Sequence, residues 1–153
     1  MRADAIRNII DAWDARVVML QELCEMTFLD LRDNELGAGW TARFVVTYVV
    51  PMTNDRCRST GGGSWGIAIF ARGAAFSSVT NLLLGEDPDG DEDRRLLCGN
   101  TTIGGVGFKV CSSHLTSPNE SEPDNQSQFN ALRSEINGYA TLARPSQSEP
   151  TST

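Results

Sequence analysis

Two positions in this chain have the residue types for polar chemistry at the end of an apolar segment. Glu22 follows Gln21 at the exit of the run Val17-Val18-Met19-Leu20, and His114, the only histidine, follows Val110-Cys111-Ser112-Ser113. A carboxylate at the end of a buried strand is held rigidly and can present two oxygens to a hard cation such as Mg²⁺. An imidazole in the same setting can donate to a phosphoryl oxygen or protonate a leaving group. Taken singly, each residue also fits a plain polar strand end or a structural histidine. The solitary histidine excludes a zinc site that needs two, and any two-histidine acid/base mechanism within this chain.

Three further patterns call for chemistry that their surroundings do not support. Gly62-Gly63-Ser64-Trp65-Gly66 spells the GxSxG of a nucleophile elbow, and with His114 it suggests a serine hydrolase using Ser64. An elbow leads into a helix, whereas Ile67-Ala68-Ile69-Phe70 reads as a strand. Gly61-x-Gly63-x-x-Gly66 has the letters of a dinucleotide fingerprint and meets the same objection. Asp87, Asp89 and Asp91 alternate as in a calcium loop, but Glu92 stands where the sharp turn needs glycine and Cys98 where a bidentate Glu is needed. With six acids in eight residues, Glu86 to Asp93 reads as a solvated loop.

The elements that must position these residues follow from periodicity. Ile6, Ile9, Ile10 and Trp13 mark one face of a helix, and Val17 to Leu20 a buried strand. Cys24 to Leu36 reads as a second helix with Met26, Leu29 and Leu31 on its buried side, ended by Gly37 and Gly39. Trp40 to Val50 is a strand, Thr53 to Ser64 a loop, Trp65 to Arg72 the next strand and Ala75 to Leu84 another. Arg95 to Thr102 and Val106 to Ser113 form a hairpin around Gly104-Gly105. Ser117 to Gln126 reads as a polar loop, and Phe129, Leu132, Ile136 and Tyr139 are helically spaced. The predicted pattern is α/β or α+β, with one domain over residues 1–143 and a disordered polar tail over 144–153.

Composition bounds the functions. The 153 residues hold 13 basic and 20 acidic side chains, a net charge of −7, with 40% hydrophobic residues, which is ordinary for a globular domain. The acidity argues against binding nucleic acid through a basic surface and mildly disfavours a tight DNA binder. It leaves open an enzyme that reaches phosphate through a metal. No apolar run is long enough to span a membrane, and the start lacks the apolar stretch of a signal peptide. The four cysteines have no CxxC spacing. Cys98 with Cys111 is the favoured pairing, across the hairpin, which leaves Cys24 with Cys57; four reduced, buried thiols are an equal alternative.

Together these segments resemble the endonuclease/exonuclease/phosphatase superfamily, the DNase I-like metal-dependent phosphodiesterases. Val17-Val18-Met19-Leu20-Gln21-Glu22 resembles its "DVVxLQE" strand. Gly66 to Arg72 resembles "GxAILSR", Arg94-Arg95-Leu96-Leu97 a strand start "R-x-L-L", and Ser113-His114-Leu115 the strand end "THL". Gln128 and Leu132 resemble the helix pattern "RxxQxxxL", with Asn125 in the arginine's place. The resemblance covers about residues 5–142.

It implies part of a four-layer α/β/β/α sandwich with mixed sheets and flanking helices. It also implies Mg²⁺ or another divalent cation on Glu22, a catalytic His114 at the scissile phosphate, and Arg94 against substrate phosphate, with Arg95 as the alternative one register away. The metal would neutralise phosphoryl charge while an Asp/His pair activates water. Substrates in the family include nucleic acid, phospholipid and inositol phosphates, which this sequence does not separate. Secreted members carry disulfides, which favours oxidised cysteines and an extracellular location for the intact protein.

The family's opening strand with its asparagine, its Asp-x-Asn pair and its Asp-His have no counterpart here. The expectation is therefore the N-terminal part of such a domain, truncated and inactive or weak. The rivals are the serine hydrolase and a non-enzymatic secreted binding module stapled by disulfides. No protein partner is implied.

Overall fold

The structure is a computed structural model that describes residues 2–48, 57, 63–86, 92–119 and 121–142; for 139–142 only the helical backbone is described. Its elements are α1 (Ala3–Ala12), β1 (Val17–Cys24), α2 (Glu25–Asp30, continued by a wider π-helical turn over Leu31–Glu35), β2 (Trp40–Tyr48), β3 (Trp65–Arg72), β4 (Ser77–Glu86), β5 (Asp93–Ile103), β6 (Val106–Ser113) and α3 (Glu122–Leu142).

The strands form two three-stranded sheets, ordered β1-β3-β2 and β4-β5-β6, and every pairing is antiparallel. The expected mixed sheets are thus replaced, among the described strands, by purely antiparallel ones. Short turns such as the hairpin between β5 and β6 can only join antiparallel neighbours. That hairpin turns at Gly104 and Gly105, whose φ values of 59° and 83° lie in the left-handed region that glycine enters without a Cβ clash.

Alternation along β3 and β5 builds four layers. Ile67, Ile69 and Ala71 of β3 meet Phe76, Leu97 of β5 and Val110 of β6 between the sheets. Ala68 and Phe70 point the other way, into Ile6 and Ile10 of α1 and Phe28, Leu31 and Leu36 of the α2 region. Leu96 and Cys98 of β5, with Leu84, face α3 through Ala131 and Leu132. A strand buried on both faces reads as a continuous apolar run, as Ile67–Ala71 does.

Several details depart from periodicity. Trp13 is 81% exposed and lies beyond the last turn of α1, so the fourth residue of the predicted stripe buries nothing. Ile9 and Met26 are also exposed, while Thr27 and Phe28 are buried. β1 runs on past Glu22 to Cys24, and α3 begins at Glu122, inside the segment expected to be loop. Most of the predicted 53–64 loop, residues 49 and 50 and the 144–153 tail lie outside the described residues.

Both cysteine pairs are bonded. Cys98 and Cys111 face each other in the β5–β6 register, and Cys24 joins Cys57. Among the described residues no helix is long and apolar enough to cross a membrane.

Candidate functional site

The β1–β3 ladder is regular from Val17 to Leu20, slips, and resumes at Leu23 opposite Gly66, so Gln21 and Glu22 are bulged out of the pairing. Glu22 has φ 53°, a left-handed conformation that non-glycine residues rarely take. Bulges re-aim side chains, and strained backbone of this kind concentrates at functional sites. Here the bulge turns Glu22 toward the end of β6. Gln21 Nε2 donates to Ser112 Oγ at 3.4 Å, stitching the two sheets together at this point.

His114 is the first residue beyond β6, and its Nε2 lies 3.5 Å from Glu22 Oε1. On its other side Arg94 Nη1 approaches His114 Nδ1 at 3.3 Å. Arginine only donates and the Glu92 carboxylate only accepts, so Nδ1 accepts from Arg94 in the neutral ring and faces Glu92 as a donor in the imidazolium, with Nε2 carrying a proton toward Glu22 in both forms. Arg94 Nη1 also pairs with Glu92 Oε2 at 3.3 Å, Glu92 Oε1 is 3.7 Å from His114 Nδ1, and Thr47 Oγ1 of β2 donates to Glu92 Oε1 at 2.9 Å.

Exposure of the side chains rises along this chain of contacts: 5% for Arg94, 9% for Glu92, 29% for His114 and 56% for Glu22. The exposed end opens on a pocket of about 500 Å³ lined by Gln21, Glu22, Ser113, His114 and Leu115. A slightly larger depression of about 560 Å³, between the start of α1 and α2, shares none of these residues.

Burial pushes the Glu92 carboxyl up, but hydrogen bonds from His114 and Thr47 and the positive charges of Arg94 and His114 outweigh it and hold it below the usual carboxylate range. Glu92 is therefore ionised at neutral pH and balances Arg94 in the interior. Leaving either one buried without the other would be costly.

The fold thus gathers Glu22, Arg94 and His114 from three strands. It also separates the two arginine registers: Arg94 turns inward, whereas Arg95 is held by Asp93 and Asn81 nearer the surface. Glu92, read from sequence as part of a solvated acidic run, is instead buried beside Arg94. The signal that could have found it is the Glu92-x-Arg94 spacing, which puts both side chains on one face at a strand's start. Nothing in sequence marked Thr47.

Ser64 exchanges backbone and side-chain bonds with Glu25, Glu25 N donating to Ser64 O at 2.8 Å and Ser64 N to Glu25 Oε2 at 3.2 Å, and leads directly into β3. The helix that a nucleophile elbow requires is replaced by a strand. Gly66 has a different use, since a Cβ there would strike the Val45 carbonyl and the Phe44 ring of β2.

Among the described residues, no three His, Cys, Asp or Glu side chains cluster as a metal-binding group. At the pocket beside His114 the described residues offer a cation one exposed carboxylate, Glu22. That suits Mg²⁺, which is held through one or two protein carboxylates and otherwise by water and substrate phosphate, better than a metal needing a full protein cage.

No family model matches the chain, and no curated protein matches it. Solved structures do. D. rerio TDP2 complexed with a single-strand DNA product is 18% identical, with 89% of this chain matching 47% of that one at a TM-score of 0.64. The human Nocturnin catalytic domain with bound sulfate is 18% identical, with 92% of this chain matching 51% of that one at 0.66. An endonuclease/exonuclease/phosphatase family protein from Leptotrichia buccalis is 12% identical, with 84% of this chain matching 55% of that one at 0.54. The chain spans about half the length of these three structures. What these likenesses establish is the fold: two antiparallel sheets between helical layers make up part of the DNase I-like sandwich that these structures have.

Proposed function

We propose that the chain carries part of the site of a metal-dependent phosphoester hydrolase, in which Glu22 holds a divalent cation and His114 acts at the scissile phosphate. The observation that supports this reading is the bulge in β1. A strained, left-handed Glu22 faces the only histidine across 3.5 Å at the mouth of a pocket, which a merely structural strand end does not require.

Mg²⁺ bound to Glu22 would supply charge neutralisation at the phosphoryl oxygens. The rest falls to the chain's own residues. His114 presents Nε2–H to the pocket, positioned to donate to a phosphoryl or leaving-group oxygen. Arg94 and Glu92 are too buried to meet a substrate and act by holding the imidazole ring, a change from the phosphate contact that the family resemblance implies for Arg94. With one metal carboxylate and one histidine, the chain is a slow hydrolase of phosphodiesters, and its two disulfides suit an oxidising, extracellular setting.

The test is hydrolysis of bis(p-nitrophenyl) phosphate by the full chain. EDTA should abolish turnover and Mg²⁺ restore it, Glu22→Gln should remove the metal-dependent part, and His114→Gln should lower kcat by about 100-fold. Turnover untouched by EDTA and by Glu22→Gln would sink the proposal.

A further inference from the structure

His114 sits where the backbone leaves the β6 ladder, and residues 114–117 have no regular structure of their own. Something else must hold the ring's backbone. Two residues on, Thr116 is almost completely buried, and all three of its polar groups are taken by α3. Gln128 Oε1 accepts from Thr116 N at 2.8 Å, Gln128 Nε2 donates to Thr116 Oγ1 at 2.9 Å, and Asn125 Nδ2 donates to Thr116 O at 2.5 Å.

Gln128 is 2% exposed, which is unusual for a glutamine. Its amide completes the peptide bonding that the sheet no longer supplies. Asn125 and Gln128 are three apart and so share one face of α3. Leu115, between His114 and Thr116, packs in the same apolar cluster as Ala131 and Leu132 of that helix.

We propose that Gln128 and Asn125 are positioning residues: they clamp Thr116 to α3 and thereby set where His114 stands relative to Glu22. The inference rests on the reading of His114 as a catalytic histidine, but the clamp itself can be read without turnover. Because the chain has one histidine, a single imidazole Cε1–Hε1 NMR signal reports on His114 with no assignment step.

In the full chain, Gln128→Leu should shift or broaden that signal and lower kcat about tenfold with KM unchanged, since small misplacements of a reacting group act on the chemical step. Asn125→Ala, which removes one bond and leaves the helix intact, should do the same to a lesser degree and serves if Gln128→Leu does not fold. Ile10→Val, which loosens the separate core under α1, should leave the signal at its parental position. The clamp is overturned if the signal stays put in folded Gln128→Leu, or in Asn125→Ala where only that variant folds, or if Ile10→Val moves it equally. Absent turnover in the parent chain would remove the functional reading alone, with the NMR comparison still deciding the clamp.

Discussion

The two helical layers of this sandwich are attached to their sheets in different ways. On one side α1 and α2 meet β3 through an apolar cluster of Ile6, Ile10, Phe28, Leu31, Leu36 and Phe70, with the Phe28 ring stacked on Phe44 at 5.0 Å and tilted against Phe70 at 5.4 Å. On the other side α3 adds to a smaller apolar cluster the buried polar contacts of Gln128 and the half-buried one of Asn125 with Thr116. Apolar burial is non-directional and scales with area, so the first layer contributes mainly stability. Hydrogen bonds add little net stability but fix geometry, so the second layer contributes mainly position. The site lies beside the second.

Substitutions should separate these roles. Phe70→Ala, at the centre of the apolar layer, should cost about 3–5 kcal/mol; urea unfolding would measure this, with the His114 signal of the folded fraction unchanged. A shifted signal would mean that the layers are not independent. Glu92→Gln, in the buried cluster, should cost about 3 kcal/mol by leaving the Arg94 charge uncompensated.

That second difference should depend on pH. The folded-state Glu92 carboxyl ionises below its ordinary range, so its stabilisation is complete above the unfolded-state value and is lost as pH falls through the folded-state value. The parental advantage over Glu92→Gln should therefore hold from neutral pH down to the ordinary carboxylate range and shrink as the pH falls below that range. A constant advantage would show that Glu92 is not held ionised by its partners.

Replacing Cys98 and Cys111 together by alanine removes a tie between β5, which carries Arg94, and β6, which leads into His114. The expected cost is about 2–3 kcal/mol, readable as a lower Tm, with broadening of the His114 signal. The smallest effect belongs to Trp13→Ser. The ring is exposed beyond α1, and the change should stay within about 0.5 kcal/mol.

Much of the fold was legible because its central strands are buried on both faces. Ile67–Ala71 reads as a strand in any context, and Cys98 opposite Cys111 follows from a glycine-glycine hairpin between two apolar segments. Helix faces were less legible. Periodicity marks Trp13 and Met26 as core, yet it contains no information on where a neighbouring sheet ends, and both residues are exposed. Glu122–Gln126 looks like loop by composition, but it forms the first turns of α3, where Asn125 is bonded to Thr116. A charge run likewise hides a buried member: Glu92 lies one residue before β5, beside Thr47 and Arg94.

The sequence by itself determined which residues have the types for chemistry and which segments hold them, because strand patterning and residue type are local properties. Glu22 just after one apolar run and His114 just after another were readable without coordinates. Only the tertiary structure decided that they face each other, that Arg94 and not Arg95 stands behind the imidazole, that Glu92 lies beside both, and that Gln128 bonds Thr116. The physical reason is that these relations depend on sheet register, a bulge and the docking of α3, all set by contacts between residues far apart in the chain.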